Sequence, residues 1–129
     1  GQKTLENVTI GESIKNVINH YGTPIYSYNP NNQEKYYEFH TNKGVLVVTA
    51  IGKKNTGYVT RVSMTYNQAN GPTYQKVAQS VGKKAIKRVQ YNSVSGNFAY
   101  IQNGKTSYQF GSSSPKDKVL KLYRIDINK

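Results

Sequence analysis

The run VTIGESIKNVINHYGTPIYSY, residues 8–28, decides how the chain reads. Ile10, Ile14, Val17, Ile18 and Tyr21 recur at spacings of three and four, the stripe of an amphipathic helix, which predicts a helix over about Glu12–Tyr21. Gly22 suits the left-handed backbone that closes a helix and Pro24 cannot continue one, so the helix ends there for two independent reasons. Strand-like runs follow at Ile25–Tyr28, Tyr36–Thr41, Val45–Ile51 and Tyr58–Tyr66.

Working outward, the pattern recurs about 60 residues on. Thr73 can cap a second helix whose stripe is Tyr74, Val77, Ala78 and Val81, stopped by Gly82. Strand runs then come at Ile86–Tyr91, Phe98–Gln102, Lys105–Phe110 and Val119–Ile127. Asn42-Lys43-Gly44 and Asn103-Gly104 supply turn residues at matching places, and Asn70-Gly71-Pro72 breaks both helix and strand at the junction. The strings RVSMTYN (61–67) and LYRIDIN (122–128) both alternate, aligning Val62, Met64 and Tyr66 with Tyr123, Ile125 and Ile127, and alternation turns Val62, Met64, Tyr66, Ile125 and Ile127 inward. The expected fold is therefore α+β. Two tandem αββββ repeats, residues 1–69 and 70–129, form one compact unit with the helices packed on one face of a continuous antiparallel sheet.

The strings VTIGESIKNVINHYGTPIYSY, KYYEFHTNKGVLVVTAIG and YVTRVSMTY resemble the small helix-plus-sheet unit of bacterial outer-membrane assembly lipoproteins of the SmpA/OmlA type. The shared features are Gly11, the Ile14/Val17/Ile18 stripe and Gly22-Thr23-Pro24. Two such units in tandem resemble the β-lactamase-inhibitor-protein (BLIP-like) architecture, which implies a concave open sheet face that binds a protein. Gly82-Lys83-Lys84 departs from the Gly-x-Pro pattern, and a chain without Cys cannot make that inhibitor's disulfides, so β-lactamase inhibition is not carried over.

Composition narrows the chemistry. Eighteen Lys plus Arg against six Asp plus Glu give +12, which favours anionic partners. Zero Cys and two His exclude thiolate metal sites and cysteine nucleophiles. Glu6, Glu12, Glu34, Glu38, Asp117 and Asp126 show no pairing of the glycosidase kind, and no nucleophile elbow or P-loop is present. No enzyme, cofactor or metal is expected. His20 sits where it can meet a helix C-terminus, a capping role. No stretch approaches the ~20 apolar residues of a membrane span.

Charge is uneven: residues 1–69 hold seven basic and four acidic residues, +3, and residues 70–129 hold eleven and two, +9. Lys83, Lys84, Lys87 and Arg88 form the densest point, a candidate anion site or a solvated edge complementing a helix dipole. Alternation sends Arg61, Ser63, Thr65, Arg124 and Asp126 outward, with Arg88 and Gln90 beside them and Tyr36, Glu38 and His40 on one strand face. Arg among exposed Tyr is the composition of protein-binding hot spots, and equally a polar sheet face is an ordinary wet one. Phe98 and Tyr100 have no face assigned, because register and repeat alignment choose opposite ones.

The expected function is a non-enzymatic binding or inhibitor-like module that contacts an acidic protein partner through Tyr36, Glu38, His40, Arg61, Arg88, Gln90 and Arg124. The alternative is an electrostatic binder of anionic polymer, whether cell-wall polymer, lipid headgroups or nucleic acid, with no specific nucleic-acid reading. The Lys/Asn/Tyr-rich, Cys-free style suggests a low-GC Gram-positive source. The opening Gly1-Gln2-Lys3, without Met, leads us to expect a secreted or cell-surface protein whose export signal has been removed.

Overall fold

A computed structural model describes residues 2–129. In chain order the elements are β1 (Thr4–Leu5), β2 (Val8–Thr9), α1 (Ile14–Tyr21), β3 (Ile25–Asn29), β4 (Glu34–His40), β5 (Gly44–Ile51) and β6 (Tyr58–Tyr66). Then come α2 (Tyr74–Ser80), β7 (Ile86–Gln90), β8 (Phe98–Asn103), β9 (Thr106–Gly111) and β10 (Lys121–Asn128). β1 and β2 form a small hairpin, and the other strands form one eight-stranded sheet in the order β3-β4-β5-β6-β10-β9-β8-β7.

This overturns the expected α+β fold of two tandem αββββ repeats with helices packed on the sheet. The chain is mostly antiparallel sheet, 47% strand against 12% helix, and the described residues form two short helices and one eight-stranded sheet beside the β1–β2 hairpin. The helices are short because their caps sit inside the apolar stripes. Ser13 caps α1, its Oγ accepting from the Lys15 N–H, so Ile10 precedes the helix instead of lying on it. That segment instead makes the β1–β2 hairpin, whose turn holds Glu6 (φ 48°) and Asn7 (φ 65°) left-handed. Alpha2 spans seven residues, buries none of them, and closes on extended Val81 instead of a left-handed Gly82.

By contact density the chain divides into two units, Gln2–Met64 with Asp126–Lys129, and Thr65–Ile125. In the first, Gly22 ends α1 as expected, left-handed (φ 92°) with its N–H on the Ile18 carbonyl. Ile14 and Val17 are buried with Tyr37, Phe39, Leu46, Val48, Ala50, Val62 and Met64, and the Tyr21 ring meets Phe39. Each fully buried aliphatic contributes about 1.5–3 kcal/mol relative to exposure. Tyr37 has no exposure, and its hydroxyl accepts the Asn55 N–H at 3.0 Å, so the buried phenol holds the β5–β6 loop. Backbone bonds from Gly11 to Val59, from Val59 to Glu12 and from Ile14 to Gly57 tie the start of α1 to β6.

In the second unit Thr73 caps α2 by accepting the Lys76 N–H, and Tyr74 lies edge-on to the buried Phe110. Ala99, Ile101 and Phe110 are buried on the α2 side of the sheet. Register puts Phe98 opposite Gly111 and Tyr100 opposite Gln109, one residue out of phase with that buried set. Phe98 and Tyr100 therefore stand on the face turned away from α2.

Candidate functional site

In the first unit, β4 alternates Tyr37 and Phe39 into the core and turns Tyr36, Glu38 and His40 the other way, opposite Thr49, Val47 and Val45 of β5. The structure thus brings these three predicted residues into one line. His40 Nε2 and Glu38 Oε2 are 2.6 Å apart, and the Tyr36 hydroxyl donates to Glu34 Oε1 at 3.1 Å. The His40–Glu38 pair is exposed and adds little to stability. Arg61 is exposed, with Nε donating to Asn128 Oδ1 at 3.0 Å. Ser63 and Asp126, expected in solvent, are 8% and 9% exposed, because the Ser63 hydroxyl donates to the Asp126 carboxylate and the pair tolerates burial.

In the second unit the strands β7, β8 and β9 set Arg88 opposite Tyr100 and Tyr100 opposite Gln109, and beside them Gln90 opposite Phe98 and Phe98 opposite Gly111. The predicted Arg88 and Gln90 thus share a face with two aromatics. The Tyr100 hydroxyl donates to Gln102 Oε1, and Gln102 Nε2 donates to the Gly104 carbonyl at 2.6 Å. Tyr123 joins this face: its hydroxyl donates to Gln109 Oε1 at 3.1 Å. Its ring lies beside Gly111, where a Cβ would sit 3.5 Å away. Burial raises the Tyr123 pKa above the ordinary tyrosine value, more than Arg124 lowers it, so the hydroxyl stays a donor. Leu122 and Ile125 are both buried, three residues apart, so strict alternation fails between them. Arg124, within that interval, is half-buried and already engaged inside the protein.

Beside Phe98 and Tyr123 lies an open trough of about 350 Å³, walled by Val94, Gly111, Ser112 and Pro115. Its two loops are tied together by Asn97, 7% exposed, whose Nδ2 donates to the Pro115 and Asp117 carbonyls at 3.1 and 2.8 Å. Asn97 Oδ1 accepts the Asn92 N–H at 3.0 Å, and Asn92 Oδ1 in turn accepts from Val94 and Ser95. All the polar atoms of the Asn97 side chain are used, and the trough is preformed.

The predicted anion cluster is not one site. Lys83 and Lys84 lie in the turn after α2, while Lys87 and Arg88 are adjacent on β7 and project to opposite sides, opposite Ile101 and Tyr100 respectively. His20 lies in the last turn of α1, edge-on to the Tyr21 ring. Among the described residues no group of three or more His, Cys, Asp and Glu could hold a metal ion, and no helix is long and apolar enough to cross a membrane.

Sequence reasoning left Phe98 and Tyr100 unassigned because hairpin register and repeat alignment choose opposite faces, and FAYI, apolar at both parities, does not decide between them. Of the two, the hairpin register is the one the structure follows. Register through the Asn103-Gly104 turn places Phe110 beside Ala99, and those two mark the buried side. The chain belongs to the SA0570-like family, whose model matches residues 1–128. No curated protein and no solved structure matches it.

Proposed function

We propose that this member of the SA0570-like family is a non-enzymatic binding module, secreted or held at a bacterial cell surface, that contacts an acidic protein through an exposed sheet face. The observation that carries the reading is the second unit's face, where Arg88, Gln90, Phe98 and Tyr100 adjoin by register and internal hydrogen bonds hold the Tyr100 and Tyr123 side chains. Arg with aromatic neighbours supplies large contact area at low entropic cost. Residues 65–125 carry ten basic residues and one acid, Asp117, which sets the sign of the partner. The split of Lys83, Lys84, Lys87 and Arg88 over two sides argues against a single anion pocket, and leaves binding to anionic polymer as the competing outcome.

The test is capture from secreted and host-fluid proteins at physiological salt, comparing the intact chain with Arg88→Ala and Phe98→Ala. The expected result is one acidic partner, weakened in both variants and little affected by salt. Polyanions that bind both variants equally and dissociate as salt rises would replace this reading with the electrostatic one.

A further inference from the structure

Among the described residues, β7 is the last strand of the sheet, hydrogen-bonded to β8 alone, and each of its five residues is exposed. Ile86 and Val89 are 49% and 42% exposed. It contains no Pro and no acid, and Arg88 folds back so that Nη1 donates to the Lys87 carbonyl at 3.0 Å. An edge of this kind offers unpaired backbone groups to an incoming extended chain, and charges on it decide which chains are admitted.

We infer that Ile86–Gln90 is a strand-addition site for an extended acidic segment of a partner protein, with the pattern apolar–acidic–acidic–apolar. The pattern comes from the register. Ile86 and Arg88 lie on one face of β7 and Lys87 and Val89 on the other, so each face presents one apolar and one basic side chain. A partner strand lying directly opposite Ile86, Lys87, Arg88 and Val89 needs an apolar residue, two acids and an apolar residue. That order reads the same in either chain direction, so parallel and antiparallel addition select the same sequence. Directly opposite unlike charges favour the pair and like charges oppose it.

A second copy of this chain is the poorer occupant: pairing β7 with itself about its middle sets Arg88 against Arg88 or Lys87, and the chain contains no two adjacent acids. The inference shares with the proposed function the premise of an acidic partner and the use of Arg88. It assigns backbone pairing at the edge, where that reading assigns side-chain contacts on the face.

The probe is the capped peptide STVEEVTS, titrated into the full chain and followed by NMR and amide exchange. It should protect alternate amides within Ile86–Gln90. N-methylation of one Glu should abolish binding while N-methylation of the other leaves it intact, because only alternate residues point their N–H at the edge. The peptide STVKKVTS should bind about tenfold more weakly, and the variant Lys87→Glu/Arg88→Glu should reverse that preference. No binding at millimolar peptide, equal affinity for both peptides, indifference to the methylated position, or a dimer that protects the edge in place of the peptide would each overturn the inference. A partner lost in Phe98→Ala with the β7 amides unprotected would refute the edge and leave the face reading standing. Parity-dependent peptide binding with no Phe98-dependent capture would do the reverse.

Discussion

Asn97 is the residue on which the second unit's trough depends, and replacing it tests that directly. Asn97→Ala removes three hydrogen bonds, two given to the Pro115 and Asp117 carbonyls and one taken from the Asn92 N–H, at a position 7% exposed. At about 1 kcal/mol net per bond the loss is about 3 kcal/mol; freed backbone groups left dry would cost more, and water reaching them keeps the expected loss at about 2–3 kcal/mol. For a chain of 129 residues this corresponds to a Tm lower by about 10 °C. The chain has no Trp and 12 Tyr, so urea unfolding followed by tyrosine fluorescence and by circular dichroism is the assay. Asn97→Asp should be worse than alanine at neutral pH. The carboxylate keeps the acceptor for Asn92 but faces two carbonyls with no proton to donate, and acidification should recover part of the loss. A loss below about 0.5 kcal/mol for Asn97→Ala with an unchanged urea slope would refute the claim that this side chain holds the two loops together.

Gly57→Ala should cost about 3 kcal/mol or more, since a Cβ there would lie 2.4 Å from the Ile51 carbonyl oxygen, whereas Gly82→Ala meets nothing within 4 Å and should be neutral or slightly stabilising; thermal melts of the two variants compare them. Asp117 accepts from the Val119 N–H and the Ser113 hydroxyl, which lower its pKa below 3.8 against a smaller opposing desolvation, with Lys121 assisting. Its contribution is therefore present above about pH 4 and is lost as pH falls through the folded value. The Tm difference between the intact chain and Asp117→Asn should be constant from neutral pH down to that point and shrink below it; a constant difference throughout would show that the carboxyl has no depressed pKa.

Element positions were largely legible in the sequence because the signals that set them are local. Gly22 with Pro24 stopped α1, Thr73 capped α2, and the eight sheet strands fall within a few residues of the apolar runs that predicted them. The first hairpin was not legible, because its turn uses Glu6 and Asn7, of which only Asn commonly adopts left-handed backbone, and its strands are two residues each. What local pattern cannot carry is the balance between helix and sheet, and that is where the expected architecture failed: two apolar stripes promised covering helices, and α2 buries none of its residues.

The site was half legible for a related reason. Tyr36, Glu38 and His40 were placed correctly on one line because Tyr37 and Phe39 mark the opposite side without ambiguity. In β10 the same method sent Asp126 outward, yet it is buried with Ser63, because Leu122 and Ile125, buried three residues apart, break the alternation. The consequence reaches function. Alternation gave Phe98 and Tyr100 no face, so the open face it described was led by Arg and Gln. Register places Phe98 and Tyr100 there, and Tyr123 joins them beside Gly111 and Gln109, so that face is an aromatic surface beside a preformed trough, and the residues to mutate become Phe98 and Arg88 in place of the three outward arginines that alternation alone selects.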